Sequence, residues 1–96
     1  MDLYRKKFDA LIAYACAYRQ RTVTLIGIEY RECVAMTCDD PETVVLPMPL
    51  FERYIAELDR RFRLARCTGT HDWIVTPDGE LGAITELRFS VLETRN

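Results

Sequence analysis

"LFERYIAELDRRFRLA", Leu50–Ala65, is the stretch on which the fold turns. Its apolar residues Phe51, Tyr54, Ile55, Leu58, Phe62 and Ala65 recur at helical spacing and share one face. Glu57→Arg61 and Asp59→Arg63 are i,i+4 ion pairs in the order that supports a helix. Pro49 stands where a helix tolerates its missing N–H, in the first turn. Thr68-Gly69-Thr70 is the expected end of this segment. One amphipathic helix is therefore predicted between two groups of residues that look like strands.

Upstream, "TVVLP", Thr43–Pro47, reads as a short strand at a sheet edge, because Pro47 cannot donate to a ladder. "DDPE", Asp39–Glu42, is a turn in which Pro41 fixes φ and the aspartates cap locally. Before it, "ECVAMTC" (Glu32–Cys38) and the β-branched "TVTLIGIEY" (Thr22–Tyr30) are neighbouring strands. Adjacent Leu25 and Ile26 predict cover on both faces of the first strand, and Gly27 a bulge or a close backbone approach.

Further back, "ALIAYACAY", Ala10–Tyr18, carries no charge. At about 100° per residue, Tyr4, Phe8, Leu11, Ile12, Tyr14, Ala15 and Tyr18 fall in one arc. Asp2, Lys6, Asp9 and Gln20 lie opposite, with Ala10, Ala13, Cys16 and Ala17 between. This is an amphipathic helix with a back of small residues. Helix propensity alone accounts for such alanines, and a smooth strip for a second helix is the alternative.

Downstream, "HDWIVT" and "LGAITELRFSVLE" flank "PDGE", a hairpin turn in which Gly79 is free to take positive φ. In the last strand Leu87, Phe89 and Val91 alternate with Glu86, Arg88 and Ser90, so one face is dry and the other wet. The predicted order is α-β-β-β-α-β-β. It describes a small two-layer α+β domain with both helices on one face of a mainly antiparallel sheet. Residues 1–96 form a single globular domain, since chains this short rarely split.

Composition narrows the function classes. Apolar residues make up 49% and charged residues 29%, an ordinary globular balance that argues against disorder. A net charge of −2 offers no general attraction to nucleic acid or anionic membranes. The apolar run is too short to span a bilayer, and Asp9 interrupts it as a signal sequence. A cytoplasmic protein with reduced Cys16, Cys33, Cys38 and Cys67 is expected.

Cys33-x4-Cys38 and Cys67-x3-His71 could together supply the Cys₃His set of a tetrahedral zinc site. Five residues along a regular strand turn the two sulfurs of the first pair to opposite faces, so no metal is expected. Cys67, His71 and Asp72 have the residue types of a nucleophile, base and orienter, but such triads assemble from distant segments. "RRFRLAR" gathers Arg60, Arg61, Arg63 and Arg66 at the predicted helix end, with Lys6, Lys7, Arg19 and Arg21 as an extension towards phosphate. Those cations also complement the helix dipole, which removes the need for a nucleic-acid ligand. "DDPE" lacks the alternating ligand spacing of a calcium loop. No phosphate-cradling glycine loop, nucleophile elbow or HExxH is present.

With no catalytic residues and no cofactor expected, the class predicted is a non-enzymatic binding or regulatory protein that docks on another protein. An inhibitor or accessory factor of a mobile genetic element would be of this kind. A zinc-stabilised module, a nucleic-acid-binding accessory protein and a small enzyme are the alternatives. The expected contact residues are Tyr30, Arg31 and Glu32 at a strand end, Arg60, Arg61 and Arg63, and Trp73. Packing is the competing role for the aromatics. The alanine strip and the sheet edges offer two routes to a homodimer.

Overall fold

The computed structural model describes residues 3–29, 42–75 and 81–95. Within them the chain forms α1 (Leu3–Ala17), β1 (Val23–Glu29), β2 (Thr43–Pro47), α2 (Met48–Arg61), β3 (Phe62–Val75) and β4 (Leu81–Thr94). The sheet order is β2-β1-β4-β3, with β1 and β2 parallel and the other neighbours antiparallel. It is a two-layer α+β domain with a mainly antiparallel sheet. The strand expected at Glu32–Cys38 and most of both expected turns lie outside the described residues.

Register decides which side chains meet the helices. Val23 opposes Phe89 and Leu25 opposes Leu87, while Val44 and Leu46 stand beside Leu25 and Gly27. These residues join Phe8, Leu11, Ile12 and Ala15 of α1 and Phe51, Tyr54 and Leu58 of α2 in one buried cluster. Both helices therefore cover the same sheet face. Full burial of each large apolar side chain contributes about 1.5–3 kcal/mol, so this cluster carries most of the stability. Leu25 is wholly buried there, and Ile26 is half-buried on the opposite face, as their adjacency predicts.

Gly27 marks a close approach. A Cβ on it would lie 2.5 Å from Cγ of Phe51, so the missing side chain is what lets α2 settle on β1. The register runs through Gly27 without a bulge. Among the described strands β2 stands at the sheet edge, consistent with Pro47 in its last position.

Three expectations need correction. The second helix does not run to Ala65: it stops at Arg61, and Phe62 is already extended at φ −138° and ψ 151°. Phe62 is buried in this extended conformation, and its spacing from Leu58 and Leu64 fits the helical and the alternating pattern alike. Pairing decides between them. Arg95 donates its backbone N–H to Arg61 O at 2.7 Å and its guanidinium to Phe62 O at 3.1 Å, which fastens the start of β3 to the end of β4. Thr68-Gly69-Thr70 likewise ends nothing. It continues β3 in register with Leu87, Glu86 and Thr85 of β4. Tyr18 also leaves the buried arc, since α1 ends at Ala17, and it is exposed.

Candidate docking groove between the helices

α1 and α2 are joined above the core by side chains from both. The rings of Phe8 and Tyr54 stack with centroids 4.3 Å apart. Arg5 lies over both rings, at 5.6 and 5.7 Å, and donates to Glu57 Oε1 at 2.7 Å. It also pairs with Asp9 one turn along α1. Glu57 accepts from Arg61 at 3.1 Å through its other oxygen, and the Arg61 guanidinium covers the Phe62 ring at 5.0 Å. A chain of alternating charge thus runs from one helix to the other.

The hydrogen bond from Arg5 holds the Glu57 carboxyl below its ordinary pKa, with Arg61 adding to the effect. Arg5 is pushed up, first by the same bond to Glu57. Both shifts favour the charged forms, so the network is a set of opposite charges held against one another. Glu57 is largely buried at the side chain while Arg5 is solvent-reached, so the pair orients the helices more than it stabilises them.

Beside this network an open groove of about 700 Å³ separates the helices. The almost wholly buried Ile12 and Phe62 form its floor, exposed Ala13 and half-buried Cys16 its α1 side, and Arg60 and Arg61 its α2 rim. Arg60 is exposed and has no carboxylate partner among the described residues.

The expected contact residues separate. Arg60 and Arg61 reach the groove, but Arg63 belongs to β3 and pairs with Glu93 at 2.6 Å. Asp59 pairs with Arg66 of β3, not with Arg63, because the helix has ended between them. The basic run is therefore split between a helix end and a strand. Lys6 and Arg19 are exposed on or after α1, and Arg21 is tied to Glu42 at 3.0 Å. Tyr30, Arg31, Glu32, Cys33 and Cys38 lie outside the described residues. Trp73 and His71 belong to β3 by their backbones, and their side chains are likewise outside what is described. Cys67 is exposed on β3. No cluster of three or more His, Cys, Asp or Glu side chains occurs among the described residues. No described helix is long and apolar enough to cross a membrane.

Sequence reasoning missed Arg5 as the bridge between the helices. Its i,i+4 spacing to Asp9 was visible, but its bond to Glu57 spans a distance that no local pattern encodes. A second cross-link was equally hidden. The Tyr14 hydroxyl donates to Glu42 Oε1 at 2.6 Å, and Arg21 donates to both, tying the end of α1 to the start of β2. Glu42 pushes the Tyr14 pKa up by accepting from the phenol.

No protein-family model matches the chain, and no curated protein or solved structure shows significant similarity to it.

Proposed function

We propose that this is a non-enzymatic docking protein that binds another protein through the groove between α1 and α2. Exposed Arg60, without a carboxylate partner among the described residues, carries the proposal. It stands on the rim of a groove with an apolar part, beside charges locked in place by Arg5, Glu57 and Arg61. Such a surface is preorganised to receive an acidic side chain flanked by apolar ones, the usual composition of a protein contact. Among the described residues the buried core is made of apolar side chains and the Tyr54 ring, with no buried charged group, which suits a scaffold for a surface. The role proposed is that of a regulator or inhibitor in the cytoplasm, of the type carried by mobile genetic elements.

The test is affinity purification of the tagged chain from its native host. Arg60→Glu should abolish recovery of the partner protein while leaving the circular dichroism spectrum and melting temperature unchanged. Arg53→Glu, on the exposed side of α2 and outside the groove, should retain it. Recovery unaffected by Arg60→Glu would remove the groove from the account. Turnover of a small metabolite by the pure protein would remove the docking class altogether.

A further inference from the structure

We infer that the outer edge of β3 pairs antiparallel with β3 of a second copy of this chain, about a two-fold axis at Cys67. This contact is on the sheet edge and is independent of the helix groove. β3 is 14 residues long and has β4 on one side, and among the described residues no strand pairs with its other side. Exposure agrees on both faces. Arg66, Thr68 and Thr70 point to the helix side, being in register with Phe89, Leu87 and Thr85, yet all three are exposed. Ala65 and Cys67 are exposed on the opposite side. A long strand open in this way is a template for another strand unless it is bulged, charged or broken by proline.

The usual protections are absent from its middle. Register shifts fall between Arg63 and Leu64 and between His71 and Ile74, leaving an unbroken run from Leu64 to His71. That run holds no proline and only one arginine, Arg66. β2, at the other edge of the described sheet, is only 5 residues long and ends in Pro47, so it is the poorer edge.

Symmetry then selects the register. A two-fold axis normal to the sheet must pass midway between one residue and its own copy, because directly opposed residues share a face. Centring on Arg66 would set two guanidinium groups opposite each other, which is unfavourable. Centring on Cys67 pairs all of Leu64–Thr70 with itself: Leu64 meets Thr70, Ala65 meets Gly69 and Arg66 meets Thr68 of the second copy. No arginine then faces another. The two Cys67 residues become directly opposed, with Cα atoms about 4.5 or 5.5 Å apart. Both separations suit a disulfide, so the thiol reports the register.

Light scattering at about 100 μM should give twice the 11.2 kDa of one chain. Diamide, which takes two electrons and two protons from a pair of thiols and is reduced to its hydrazine, should then join the dimer covalently. The covalent dimer should form with Cys16→Ser and be lost with Cys67→Ser, which remains a non-covalent dimer. Thr68→Lys places a second cation opposite Arg66 twice over and should weaken association about three- to tenfold, without lowering the melting temperature of dilute monomer. A monomer mass at that concentration overturns the inference. So does a dimer that diamide cannot join through Cys67, or one that Thr68→Lys leaves as tight as before.

Discussion

Gly27→Ala tests how α2 is seated on β1. The new methyl carbon would lie 2.5 Å from Cγ, 2.8 Å from Cδ1 and 2.9 Å from Cβ of Phe51. The ring could swing away from the first two contacts, but the Cβ moves only with the backbone of α2. Phe51 is 3% exposed, so the ring has no solvent to swing into. Overpacking of this kind costs about 1–3 kcal/mol. Replacing glycine inside a strand returns about 0.5–1 kcal/mol through the unfolded chain. With the cost taken in the upper part of its range, because the Phe51 Cβ cannot swing aside, the net loss is about 1–2 kcal/mol. In a domain of 96 residues each kcal/mol moves the melting temperature by about 4–8 °C, so a fall of about 5–15 °C is expected. A double-mutant cycle identifies the cause. Phe51→Ala alone removes a buried ring and costs about 3–5 kcal/mol. In that background Gly27→Ala should become neutral or stabilising, because the ring it collides with is gone. Thermal melts by circular dichroism measure all four proteins. Equal melting temperatures for the wild type and Gly27→Ala would refute the close approach, and simple additivity would assign the loss to something other than Phe51.

Glu57 is held below its ordinary pKa, so its contribution is fully present above the unfolded value of 4.5 and fades as pH falls through the lower folded value. Glu57→Gln should therefore flatten the acid limb of the stability curve below about pH 4.5 and leave the neutral-to-alkaline shape unchanged, as read by urea melts at each pH. For Tyr14 the sign is reversed: its pKa is raised, so it should ionise later than an ordinary tyrosine, and its contribution should fade as pH rises above 10. Absorbance titration of wild type against Tyr14→Phe should show that the missing component is a late one; loss of an early component would contradict the bond to Glu42.

Much of this architecture was legible because burial imposes a period. The arc Phe8, Leu11, Ile12 and Ala15 and the alternation Leu87, Phe89, Val91 are direct imprints of one helix face and one strand face, and both are buried as expected. Pro47 announced an edge strand for a local reason, its missing donor. The helix end was not legible, because Phe62 sits four residues after Leu58 and two before Leu64, and so fits both periods. What settled it was a long-range pairing with Arg95. The same holds for the candidate site. Arg60 and Arg61 stood out as a basic helix end, but Ile12 and Ala13 opposite them come from α1 and meet them only in the folded domain. Arg63 was grouped with them by sequence proximity, and one change of backbone conformation turned it to Glu93 instead.

Photocrosslinking of the groove in the native host tests the docking account most directly. A benzophenone amino acid in place of Ala13, exposed within the groove, leaves every arginine in position. The same group in place of Ala56, exposed on α2 outside the groove, serves as the control. The account predicts a discrete protein adduct from position 13, absent from position 56 and lost when Arg60→Glu is added. An adduct from position 56 alone, or one from position 13 that survives Arg60→Glu, would contradict it.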